Sequence, residues 1–141
     1  MTSLAVISGA VTRSSLPAVE DALNPLGLLE LESVCDDALL ASVAQHANAP
    51  CRASALWADE DFVCLLAGDV INHEDLDWAA MTRAFESGDR TPEYARKLRG
   101  AFGLVVVDRG SKRMWVVTDP SAWIPVLIRV TDSHVIVSTS R

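Results

Sequence analysis

Apolar and polar positions alternate along the chain in short blocks, and each block predicts an element. Leu4-Ala5-Val6-Ile7 is a brief apolar run closed by Ser8-Gly9, which predicts a buried strand close to the first residue. Leu16, Val19, Ala22 and Leu23 keep helical spacing until Asn24-Pro25, where the proline stops the helix. Leu29-Glu30-Leu31-Glu32 alternates apolar with acidic residues, the pattern of a half-exposed strand. Ala38 to Ala47 fits two elements: Leu39, Leu40 and Val43 suit a helix capped by Asp36 or Asp37, and the same run suits a strand. Arg52 to Trp57 and Phe62 to Ala67 bracket Ala58-Asp59-Glu60-Asp61 as a hairpin.

The stretch Ala67-Gly68-Asp69-Val70-Ile71-Asn72-His73-Glu74-Asp75-Leu76 reads as the end of that strand, a tight turn and a helix start, with Asn72 or His73 as cap. Leu76, Ala79, Ala80 and Ala84 carry the helix to about Phe85, and Ser87-Gly88-Asp89 ends it. Thr91-Pro92-Glu93 starts a second, short helix, with Tyr94 and Leu98 on one face and Gly100 as its C-terminal cap. Four strands follow, Phe102 to Asp108, Met114 to Val117, Val126 to Val130 and Val135 to Ser138, separated by polar turns. Many antiparallel strands with a helix pair set midway define an α+β chain, in which two stacked sheets between helices bury both central apolar faces.

Composition narrows the function classes. The 141 residues are 50% hydrophobic, enough for one domain with a substantial core. The formal net charge is −7 and no basic cluster stands out, which argues against nucleic-acid binding. No apolar run approaches the roughly 18–20 residues of a spanning helix, and Met1-Thr2-Ser3-Leu4 lacks a basic signal region, so no membrane partner is expected. Three cysteines, Cys35, Cys51 and Cys64, cannot pair completely, which favours a reduced, cytoplasmic setting. Cys35, His46 and Cys51 lack the close pair spacing of a zinc site, and there is no Gly-rich phosphate loop, so neither metal nor cofactor is expected.

Four stretches carry a resemblance. Ala67 to His73 is similar to the Gly-Glu-Ile-Tyr-Asn-His segment of class II glutamine amidotransferase domains, the N-terminal part of asparagine synthetases. Leu98-Arg99-Gly100-Ala101-Phe102 through Asp108 resembles the family's Leu-x-Gly-x-Phe-Ala-Phe-Ala-Leu-x-Asp segment. Asp119 and Pro125 match its Arg-Asp-x-x-Gly-x-x-Pro-Leu-Tyr loop at the right separation, with Thr118 and Ala122 in place of Arg and Gly. Val135 to Ser140 resembles the closing Phe-Ala-Ser-Glu strand, so the likeness spans Phe62 to Ser140. It implies the four-layer αββα sandwich of N-terminal-nucleophile hydrolases, made of two mostly antiparallel sheets. It also implies a strand, not a helix, over Ala38 to Ala47.

The family's glutaminase machinery is largely missing. Such an enzyme attacks the glutamine amide with an N-terminal cysteine whose α-amine is the base, and an oxyanion hole stabilises the intermediate. Here position 2 is Thr2, the asparagine of the oxyanion pair is replaced by Ala67, and only the Gly68 backbone remains. The segments that clamp the substrate's amino-acid end are not recognisable. Gly68 and Asn72 are therefore expected to line a vestigial pocket, and Thr2 has two readings. It is either an N-terminal nucleophile of changed chemistry, which makes the chain a hydrolase or amidase, or an ordinary small residue after an initiator methionine.

The resemblance then implies a single degenerate domain over residues 1–141, without a synthetase domain, that scaffolds a separately encoded or deleted ATP-dependent, amide-forming synthetase. β-Lactam synthetases and lasso-peptide cyclases keep such inactive N-terminal domains, which places the expected role in peptide or natural-product biosynthesis. Trp123, set with Ile124 between Pro120 and Pro125, has two expected roles: a contact for a partner or a homo-oligomer, or a plug for the old glutamine groove.

Overall fold

The computed structural model describes residues 3–9, 11, 13–24, 30–45, 56–72, 76–87 and 96–139. Among these residues nine strands form two wholly antiparallel sheets. The first contains β1 (Ser3–Gly9), β2 (Glu30–Cys35), β3 (Leu39–Gln45), β8 (Leu127–Val130) and β9 (His134–Ser138), in the order β2-β3-β1-β9-β8. The second contains β4 (Leu56–Ala58), β5 (Phe62–Val70), β6 (Gly100–Asp108) and β7 (Met114–Thr118), in chain order. Among the described residues two helices, α1 (Leu16–Leu23) and α2 (Trp78–Glu86), complete a mixed α/β architecture.

Side-chain alternation explains how the sheets stack. Leu4, Val6, Leu39, Ala41, Val43 and Val137 of the first sheet bury against Val63, Leu65, Ala67, Val105 and Val107 of the second. The intervening residues of β5 and β6 point the other way. Phe62, Cys64, Leu66, Phe102, Leu104 and Val106 pack with Trp78, Met81 and Phe85, which share one face of α2 at helical spacing. The Phe85 and Trp115 rings stack with centroids 4.9 Å apart. On the first sheet, α1 sets Leu23 and Val19 against Ala5 and Ala44, and the Ser33 hydroxyl ties β2 to the Glu20 carboxylate at 2.8 Å.

Most expected elements form. The Asp59 carboxylate accepts the Asp61 and Phe62 amides and closes the β4–β5 hairpin. Residues 39–45 form a strand, buried along nearly its whole length. Two expectations need correction. The cap of α2 is Asp77, whose carboxylate accepts the Ala80 amide at 2.9 Å, so the helix starts later than Asn72 or His73 would place it. Gly100 does not cap a helix: it opens β6 opposite Val70 with φ +128°, and a Cβ there would collide with the Asp69 carbonyl oxygen. The helix start expected at Thr91-Pro92-Glu93 lies outside the described residues.

Two measurements probe this frame. Phe102 is buried within the α2-facing cluster, so Phe102→Ala should cost roughly 3–5 kcal/mol in denaturant melts. A loss below about 1 kcal/mol would mean that β6 does not present Phe102 to α2. In the β6–β7 turn, the Ser111 hydroxyl and the backbone amides of Ser111 and Gly110 hold the Asp108 carboxyl below its ordinary value. A depressed folded value stabilises above the unfolded pKa, and that stability is lost as pH falls through the folded pKa. Ser111→Ala should therefore raise the Asp108 pKa in an NMR titration and shift the acid limb of stability to higher pH.

Candidate functional site

The ends of β1, β5, β6 and β9 meet at one mouth of the sandwich. Leu4 and Thr139 fasten its first-sheet side: the Leu4 amide donates to Thr139 Oγ1 at 2.9 Å, and the Thr139 amide donates to the Leu4 carbonyl at 3.1 Å. Across the mouth lie Gly68 of β5 and Gly103 of β6. A Cβ added to Gly103 would stand 2.9 Å from Val126 Cγ2, 3.6 Å from Ile124 Cγ2 and 3.8 Å from Thr139 Cγ2. One added to Gly68, where φ is +95°, would collide with the Ala101 carbonyl oxygen and stand 3.0 Å from Ile124 Cγ1. Ile124 and Val126 pack against the inter-sheet core, so aliphatic side chains occupy the space beside both glycines.

A buried carboxylate sets that arrangement. Asp119 follows β7, and its side chain accepts the amides of Ser121 at 2.8 Å, Trp123 at 3.2 Å and Phe102 at 3.3 Å. Its own amide donates to the Phe102 carbonyl at 3.1 Å, and its carbonyl accepts the Ala122 amide at 3.0 Å. Ala122 takes a positive φ of 48°. The loop is thus wound around one side chain and pinned to β6. Ile124 turns inward, while Trp123 stands 75% exposed. The side chain that packs against Gly68 and Gly103 is thus that of Ile124 and not of Trp123.

Asn72 faces elsewhere. Its side chain donates to the Lys97 carbonyl at 3.0 Å and accepts the Arg99 amide at 2.8 Å, which splices the turn after β5 to the strand entering β6. With Arg96, Lys97 and Arg99 it lines an open hollow of about 530 Å³. The structure sets Ile124 of the Trp123 loop against Gly68 and ties Asn72 to Lys97 and Arg99; Thr2 and His73 lie outside the described residues.

Two other side chains of nucleophile or base type, Cys64 and His134, have structural surroundings. Cys64 is buried in the α2-facing cluster, and burial, with Asp59 adding, pushes its thiol far up, away from the nucleophilic thiolate. His134 opens β9 with its Nδ1 2.7 Å from Ser133 Oγ, a contact between neighbours in the β8–β9 turn. Among the described residues no three His, Cys, Asp or Glu side chains group as metal ligands, and no helix is long and apolar enough to cross a membrane.

The hub role of Asp119 and the wedge role of Ile124 went unread in the sequence. Asp119-Pro120-Ser121 is a turn-forming triplet and so signals the first; nothing local signals the second. No family model matches the chain, and no curated protein does.

Asp119→Ala leaves three amides without their acceptor and should cost roughly 2–4 kcal/mol in urea melts. A cost within about 0.5 kcal/mol, the range of an ordinary surface change, would mean the carboxylate does not organise the loop.

Proposed function

We propose that this chain is a catalytically degenerate glutaminase-type domain of the asparagine synthetase kind. It serves as scaffold or partner of an amide-forming, ATP-dependent synthetase in peptide or natural-product biosynthesis. In this reading the two sheets and their flanking helices are the four-layer αββα sandwich of N-terminal-nucleophile hydrolases. The mouth between β1, β5 and β6 is then the former glutamine pocket. One observation carries the reading: Ile124 and Val126 fill the space beside Gly68 and Gly103, where a substrate amide would have to sit.

The chemistry follows from what the mouth offers. Amide hydrolysis needs a nucleophile, a base and at least one preorganised donor aimed at the developing oxyanion, and loss of one such donor alone costs on the order of a hundredfold in rate. Ala67 supplies no side-chain donor next to Gly68, and among the described residues the side chains nearest the two glycines are Ile124, Val126 and Thr139. The Thr139 hydroxyl already accepts the Leu4 amide. Such a surface suits packing and not bond cleavage.

Purified protein should release no glutamate from glutamine in a coupled assay, and Ile124→Ala, which opens space over Gly68, should not create that activity. A scaffold role further requires that amide formation by the synthetase depend on the domain's presence but not on Thr2, so Thr2→Ala leaves that rate unchanged. Glutamate release by the wild type, abolished in Thr2→Ala, would overturn the proposal and assign the chemistry to an N-terminal threonine.

A further inference from the structure

The two edges of the five-stranded sheet are built differently. At one edge, β2 begins Glu30-Leu31-Glu32, and its acidic side chains guard a free strand against pairing with another chain. At the other edge, β8 reads Leu127-Ile128-Arg129-Val130, with Arg129 as its single charge and no acidic residue. All four of its residues are exposed, with Leu127 at 59%, Ile128 at 57% and Val130 at 71%.

Register shows that one face of β8 is wholly apolar. Ile128 and Val130 lie opposite Val137 and Val135, on the face turned toward the second sheet, while Leu127 and Arg129 lie opposite Ser138 and Ile136 on the other face. A strand that ends a sheet ordinarily keeps one polar face or a charged edge. Residues 120–130 instead hold a single charged side chain, Arg129, in a chain with 19 Asp and Glu and 12 Lys and Arg. Depletion of charge with apolar and aromatic exposure is the composition of an interface centre.

We propose that β8 is a homodimerisation strand, pairing antiparallel with β8 of a second copy across a twofold axis and joining the two five-stranded sheets into one. An antiparallel edge is self-complementary, so a second copy satisfies it without any other partner strand. The free backbone groups are placed for this. The Thr131 amide donates to the His134 carbonyl at 2.9 Å, toward β9, and amides alternate in direction along a strand. Those of Ile128 and Val130 therefore point outward, where no strand lies among the described residues.

A register centred on Ile128 sets it opposite its own copy and sets Arg129 opposite Leu127, so the two arginines do not face each other. The alternative centred on Arg129 opposes like charges. Trp123, Leu127, Ile128 and Val130 leave on the order of 500 Å² exposed per copy, so two copies reach the roughly 1,000 Å² total of a specific interface when all four side chains are covered. The dimer does not depend on the glutaminase-like reading, because it uses an edge strand and not the mouth.

Sedimentation of the wild-type protein across a dilution series should show twice the chain mass at high concentration and the chain mass on dilution. Ile128→Lys and Val130→Lys replace exposed side chains and should each give a monomer with unchanged far-UV circular dichroism. Leu31→Lys, on the opposite edge, should leave the dimer intact. Amide exchange at Ile128 and Val130 should be slow in the dimer and fast in the diluted protein. A wild type that stays monomeric throughout would overturn the proposal, as would a dimer that persists in both folded β8 variants or one lost in Leu31→Lys. Unprotected Ile128 and Val130 amides in the dimer would equally overturn strand pairing as its basis.

Discussion

The pairing of β5 with β6 is the constraint on which the other layers depend. Nine residue pairs run from Phe62 opposite Asp108 to Val70 opposite Gly100, and nearly every side chain between those ends is apolar and buried. A ladder apolar on both faces cannot be left against water on either. One face needs the first sheet, supplied by β1, β3 and β9; the other needs α2, whose Trp78, Met81 and Phe85 cover it. A slip of one residue would exchange the valine-rich inner set for the aromatic outer set, and neither would fit the layer it then met.

The mouth of the sandwich follows from the same ladder. At the Gly68 end of β5 and the start of β6 the two backbones come too close for a side chain at Gly68, while Gly103 leaves room for Val126 and Ile124. Asp119 converts that room into a filled site: by accepting the Phe102, Ser121 and Trp123 amides it fixes the loop so that residue 124 points in. Filling a mouth with aliphatic side chains adds core and removes a cavity, which favours stability over ligand access. The Thr139–Leu4 contacts close the other side in the same spirit, with a buried hydroxyl committed to backbone.

What is absent from the core reappears at the margin. Four of the six exposed large apolar side chains among the described residues, Trp123, Leu127, Ile128 and Val130, belong to β8 and the loop before it, while Leu31 and Ile71 lie elsewhere. Around Asn72, by contrast, the surface is basic, with Arg96, Lys97 and Arg99 about an open hollow.

The sequence by itself determined the strands with a clear local signature. Phe62 to Leu66 and Phe102 to Val107 are continuous apolar runs, and Asp59 and Asp108 mark their turns with side chains that bond the local backbone. Residues 39–45 had no such signature, because a strand buried on both faces loses the period-two pattern that distinguishes it from a helix; only pairing with β1 and β2 settled it. Asn72 has the chemistry of a cap, but its amide is taken by Lys97 and Arg99, 25 and 27 residues away, so Asp77 caps the helix instead. Gly100 has the positive φ of a helix cap and spends it on a close approach to Asp69. Whether Trp123 or Ile124 entered the mouth was likewise decided by tertiary structure: adjacent side chains point to different sides, and the choice rests on where a buried Asp119 ties the loop to β6.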